Sequence, residues 1–222
     1  MPRYSNDVDE PQNHTAECEV LAVTPETLAA LALYALTTSI TPGPNNLMLL
    51  ASGVNFGLRR TLPHLAGISI GFGVMVFCVG LGLAQIFAAY APLYTGVRIA
   101  GAAYLIWLAW QIATAAAPGE GESRSRPMGF LGAAAFQWVN PKAWVMAVGA
   151  SANYLPADSS IALVAVVAAT YALVNAPCVA LWAVFGSAVS GWLRNSRNRR
   201  IVNLVMAGLL LATLYPMLTA RL

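Results

Sequence analysis

Apolar residues fill this chain in long uncharged blocks: 27–58, 61–97, 99–119, 127–141, 143–157, 159–193 and 201–220. A bilayer-spanning helix needs about 20 predominantly apolar residues. By that measure the blocks predict six segments, roughly 27–52, 63–89, 95–116, 128–154, 160–187 and 200–220. The joints at 57–60, 90–92, 118–126, 156–158 and 194–200 are short and carry Gly, Pro or charge, as turns do. Thr24-Pro25-Glu26 reads as the start of the first helix, with Thr24 as N-cap, Pro25 in the first turn and an acid beside the positive helix end.

Charge strengthens this picture. Only 9% of the 222 residues are charged, against about 25% in an ordinary soluble domain, too few to clothe a water-soluble globule. The expected fold is an all-α polytopic membrane protein forming one transporter domain over 23–222. Residues 1–22 are acidic and polar, so a signal peptide is not expected there. They read as a disordered lead, with natural translation starting closer to residue 22. Eight arginines (59, 60, 124, 126, 194, 197, 199 and 200) follow the first, third and fifth segments. The positive-inside bias therefore places those joints in the cytoplasm and both termini outside. The net charge of +3 reflects these joints, and no nucleic-acid partner is expected. Cys18, Cys78 and Cys178 form no C-x-x-C pair, so neither a zinc site nor a disulfide framework is indicated.

Two interruptions break the apolar pattern. Thr41-Pro42-Gly43-Pro44-Asn45-Asn46 lies about mid-depth in the first segment. Proline removes N–H donors, and freed backbone groups are tolerated in a membrane only inside protein or beside a water-filled cavity. The motif is either a simple kink or two half-helices meeting at a site, the second offering free N–H groups near Asn45 to an anion. Phe136-Gln137-Trp138-Val139-Asn140-Pro141-Lys142 interrupts the fourth segment. Lys142 would cost at least about 2.5–3.5 kcal/mol at mid-membrane. It is either an interior functional cation or a side chain snorkelling to the surface beside a re-entrant 127–141, which would leave five spans. An interior Lys142 would draw a carboxylate, Gln137 and Asn140 would supply neutral hydrogen bonds, and carbonyls freed by Pro42, Pro44 and Pro141 would receive an ammonium group.

Asn175-Ala176-Pro177 predicts a further polar break or a kink in the fifth segment. His64, near Arg59 and Arg60, is expected at the interface, and Gly67-x-x-x-Gly71 predicts close helix packing. No Asp or Glu lies inside a segment, so no carboxylate relay or anionic metal site is visible. No P-loop is present either, and no cofactor is indicated.

The interruptions recur at one offset. Thr41-Pro42-Gly43 and Asn140-Pro141-Lys142 are 99 residues apart, and Arg98-Ile99-Ala100 is echoed by Arg200-Ile201-Val202 at 102. Repeats of about 24–117 and 127–222, each of three spans, must be inserted in opposite senses, as in inverted-repeat transporters. The first and fourth helices would then be the broken pair.

Together with 53–60, Gly101-Ala102-Ala103-Tyr104-Leu105, the run through Ala143-Trp144 and the closing 200–217, these motifs resemble the LysE/RhtB family of bacterial amino-acid exporters over about 24–222. The Asn-Asn after Pro-Gly-Pro and the Trp107 and Trp110 region look most like its cysteine/O-acetylserine branch. The resemblance implies efflux of amino acids across the inner membrane, driven by the proton motive force, with no enzymatic step. Members often carry Asp where Asn45 stands, and this departure favours small neutral substrates. Basic amino acids and homoserine or threonine remain alternatives. So does, from another class, a thiol–disulfide electron carrier using Cys78 and Cys178. The expected substrate pathway comprises Thr41, Pro42, Gly43, Pro44, Asn45, Asn46, Gln137, Asn140, Pro141, Lys142 and Asn175. Its partners are a small amino acid and membrane lipid, with a homo-oligomer left open.

Overall fold

The computed structural model describes residues 24–89, 91–114, 126–156, 158–192 and 195–215, with no strand among them. The first helix starts as expected. Thr24 accepts from the Thr27 amide at 3.2 Å, ahead of Pro25. The Glu26 carboxyl is held below the ordinary carboxylate range by backbone hydrogen bonding at this helix start and by Thr24.

Helices α1 (Pro25–Ile40) and α2 (Pro44–Phe56) flank the first break. Gly57, at φ 75°, alone turns the chain into α3 (Leu58–Cys78), because this left-handed backbone suits a residue without Cβ. A π-helical turn, Val79–Leu83, leads on to α4 (Ala84–Ala89). Helix α5 spans Ala91–Ala113. Beyond it, α6 (Phe130–Phe136), a 3₁₀ turn (Gln137–Val139) and α7 (Pro141–Tyr154) form the second broken segment. Helices α8 (Ile161–Val189) and α9 (Ser196–Ala212) complete the described fold.

The stretches Leu58–Leu83, Thr95–Ala113 and Ile161–Val189 are each long and apolar enough to cross a membrane. These stretches and their neighbours turn large apolar side chains outward, among them Leu33, Leu131, Leu173 and Phe185. Water would penalise that surface by about 25 cal/mol per Å² of apolar area, whereas lipid does not. The molecule is a polytopic membrane protein.

Helix α8 is the hub and packs on α2, α3 and α1. Small residues set the close approaches: a Cβ on Gly53 would strike the Ala183 carbonyl, and one on Gly186 the Leu50 carbonyl. Gly67 and Gly71 do the same for α3 against α6, where added Cβ atoms would lie 2.8 Å from the Cβ atoms of Ala133 and Ala134. This is the packing expected of the G-x-x-x-G step. One apolar core gathers Leu31, Phe72, Met75, Trp144 and Tyr171. A second, around Leu47, Met48, Leu105, Met206 and Leu210, joins α2 to α5 and α9.

One boundary is corrected, one alternative falls, and one feature is new. The second segment begins at Leu58 rather than 63, and Pro63 lies inside α3; exposed Arg59 and Arg60 simply extend the helix past its apolar part. Helix α8 runs through Asn175-Ala176-Pro177 without a break, since neighbouring helices let membrane helices tolerate an interior proline. The π-helical turn, which holds Gly82 at φ 101°, was not anticipated from the sequence. The acidic lead with Cys18, most of the 118–126 joint and the end of the last segment lie outside the described residues.

Candidate functional site

The first break leaves the last carbonyls of α1 without helical partners, and each finds one. Thr41 Oγ1 donates to the Thr38 carbonyl at 2.9 Å. Asn46 Nδ2 donates to the Ser39 carbonyl at 2.9 Å and to that of Thr41 at 2.8 Å. Trp182 Nε1, from α8, donates to the Ile40 carbonyl at 3.2 Å. Lys142 Nζ donates to the Thr41 carbonyl, to the Thr41 hydroxyl at 2.9 Å and to the Pro42 carbonyl at 3.3 Å. Asn46 is thus a backbone brace, and the Lys142 ammonium closes the end of the broken helix. The sequence reading reserved these carbonyls for a substrate ammonium; here the protein's own lysine occupies them.

On the other side of the break, α2 begins at Pro44 with Gly43 as N-cap and no side chain capping its amides. Gly43 is extended, at φ −176°, so glycine is required by space rather than backbone angle. A Cβ there would sit 2.6 Å from Lys142 Cδ.

The second break is satisfied from within. Asn140 caps α7 by accepting from the Lys142 amide at 3.1 Å, with Pro141 in the first turn. Trp144 Nε1 donates to the Trp138 carbonyl at 2.9 Å. Gln137 Nε2 reaches back to the Ala133 carbonyl at 2.9 Å. The two breaks are clasped by a reciprocal amide pair: Asn45 Nδ2 donates to Gln137 Oε1 at 2.8 Å, and Gln137 Nε2 donates to Asn45 Oδ1 at 3.1 Å.

Ser39, Gly43, Asn45, Asn46, Asn140, Lys142 and Asn175 line one cavity, walled by Phe72, Ala143, Met146 and Val179. Asn175 Nδ2 donates to Ser39 Oγ at 3.0 Å, while its buried Oδ1 has no hydrogen-bond partner among the described residues. The cavity measures about 20 Å³, roughly the room one water needs, and Thr41 and Pro42 beside it are exposed.

Of the expected pathway residues, Gly43, Asn45, Asn46, Asn140, Lys142 and Asn175 line this cavity. Thr41, Pro42 and Gln137 bond to them, and Pro44 and Pro141 start the two half-helices. The sequence reading missed Ser39, Phe72, Ala143, Met146 and Val179. Ser39 carried a signal, being a hydroxyl beside the proline break, whereas the apolar four look like any core residue. His64 is corrected. It is 2% exposed rather than interfacial, and neither ring nitrogen has a partner among the described residues. Cys78 is half-buried, Cys178 is buried, and both are free thiols.

Fold and site define a polytopic membrane protein with a small polar cavity between two broken helices. The LysE type translocator family matches residues 36–214, and the chain belongs to that family. It is similar to the cysteine/O-acetylserine efflux protein of Escherichia coli O139:H28 (strain E24377A / ETEC), with 36% identity over 191 residues, 85% of this chain and 96% of the relative. The proteins of that name from Escherichia coli (strain K12) and Shigella sonnei (strain Ss046) are each 36% identical over 190 residues, covering 85% of this chain and 95% of the relative. The likeness to the cysteine/O-acetylserine branch stands on these relatives. No solved structure matches the chain. The protein is therefore a transporter rather than an enzyme, and a multi-pass protein of the inner membrane.

Proposed function

We propose that the chain exports small neutral amino acids or their derivatives, driven by the proton motive force. The carrying observation is Lys142, a tethered ammonium lodged on the carbonyls of Thr41 and Pro42. Acceptors that hold this cation suit a substrate ammonium equally well. On loading, the substrate ammonium takes these carbonyls and the unpartnered Asn175 Oδ1. Its carboxylate draws Lys142 aside and meets the uncapped amides at the start of α2. A zwitterion leaves the net charge of the site unchanged, whereas a second cation beside Lys142 would be repelled. Basic substrates are disfavoured for that reason. Lys142 is also the titratable group through which proton exchange would couple to substrate release.

Movement comes from six spans arranged as two inverted repeats that rock about the site. Support lies in pairs of residues 99 apart that meet each other. Lys142 Cδ lies over Gly43, Phe72 packs edge-on against Tyr171 at 5.1 Å, and a Cβ on Gly73 would be 2.9 Å from Ala172 Cβ. A residue meets its own repeat mate only near a two-fold axis. The site then lies on that axis, where small rotations of either repeat open it alternately.

The test is efflux of radiolabelled cysteine, O-acetylserine, threonine and lysine from loaded cells, with and without an uncoupler. Export of the neutral compounds that collapses on uncoupling is expected. Lysine export, or neutral export indifferent to the uncoupler, would refute the respective part of the proposal.

A further inference from the structure

A second cavity, of about 360 Å³, opens between the end of α5 and the start of α9, lined by Ala113, Thr114, Ser196, Arg199, Arg200 and Asn203. This lies within the roughly 300–1,000 Å³ of small-ligand sites and is far roomier than the first cavity. We propose that it seats the headgroup of an anionic phospholipid, with the phosphate against Arg199, Arg200 and Ser196 and a headgroup hydroxyl on Asn203.

Several independent observations converge here. Arg199 is 8% exposed and engaged within the protein, Arg200 is exposed, and both line the cavity. Asn203 is 1% exposed, lines the cavity, and its Oδ1 has no hydrogen-bond partner among the described residues. A glycerol headgroup carries the hydroxyl donor this oxygen lacks. The depth also fits. Trp110, one turn before Thr114, and Trp192, ahead of α9, are both largely exposed, as interfacial aromatics are. Below them Ile106 on α5 and Ile201, Leu204 and Val205 on α9 face outward, offering acyl chains an apolar surface. Basic pockets between membrane helices on the cytoplasmic side bind such headgroups, and both walls here belong to joints that the arginine bias places on that side.

The test is native mass spectrometry of the full chain equilibrated with equal amounts of phosphatidylglycerol and phosphatidylcholine, with thermal unfolding confirming that each variant is folded. The wild type should retain phosphatidylglycerol preferentially. Arg200→Gln should cut that preference about fivefold, the value of one arginine near an anionic surface. Asn203→Ala should lower it for phosphatidylglycerol, but not for phosphatidic acid, which has no headgroup hydroxyl. Arg60→Gln removes an equal exposed charge elsewhere and should leave the preference intact. An equal loss in Arg60→Gln would reduce the effect to general surface charge and overturn the site. Tight binding of free glycerophosphate without lipid preference would make the ligand a soluble anion and overturn the lipid assignment. Absence of preference in the wild type would overturn the proposal.

Discussion

The two helix breaks meet the same backbone requirement in opposite ways. At the second, Asn140, Gln137 and Trp144 satisfy the freed groups from within the same segment. At the first, local help from Thr41 and Asn46 is not enough, and Trp182 and Lys142 are brought in from other helices. A locally satisfied break is scaffold. A break completed by a charged side chain from another helix could exchange that partner for a ligand. Under the proposed mechanism the first break is the receptor and the second the arm that closes it.

Removing the arm has the largest expected effect. Lys142→Ala leaves the Thr41 and Pro42 carbonyls short of a donor and the substrate carboxylate without a cation. A hydrogen bond to a charged group contributes about 1.5–3 kcal/mol, so export should fall at least about tenfold in loaded-cell efflux, with Lys142→Arg recovering part of it. Gly43→Ala comes next. Its Cβ would displace Lys142 Cδ, so export should fall about tenfold while thermal stability in detergent changes by less than in a core truncation.

Uncoupling the clasp should be milder. In a double-mutant cycle of Asn45→Ala and Gln137→Ala, thermal unfolding should report a coupling energy of about 0.5–3 kcal/mol; strict additivity would show that the amide pair joins nothing. Asn175→Ala removes the proposed ammonium acceptor and should raise KM several-fold with little change in stability, read by concentration-dependent uptake into inverted vesicles. Asn140→Ala should do least to transport. It loses a helix cap worth about 0.5–2 kcal/mol, visible in the melting temperature while export persists. A transport defect as deep as that of Lys142→Ala would break the distinction between scaffold and receptor.

The breaks were legible because Thr41-Pro42-Gly43-Pro44 and Asn140-Pro141 combine lost N–H donors with poor helix formers, whereas lone Pro63 and Pro177 stay inside continuous helices. A lysine in an apolar run also marked the second break. What Lys142 touches was not legible, because the contact joins residues about 100 positions apart and depends on how the halves pack. His64 was misplaced by its neighbours in sequence: Arg59 and Arg60 reach outward while His64, a turn later, faces the interior. Asn175-Ala176-Pro177 left a third break or a kink open, and the helix runs on through an exposed Pro177. Gly82, with its left-handed backbone in the π-helical turn, carried no signal that the sequence reading used.

The most direct test is counterflow of radiolabelled O-acetylserine in proteoliposomes, comparing the wild type with Lys142→Ala at equal folded protein. Counterflow needs no proton gradient, so it isolates the exchange of substrate for lysine at the first break. Exchange in the wild type with background signal in Lys142→Ala is the predicted result. Counterflow by Lys142→Ala at the wild-type rate would contradict the role of Lys142 as the group the substrate displaces.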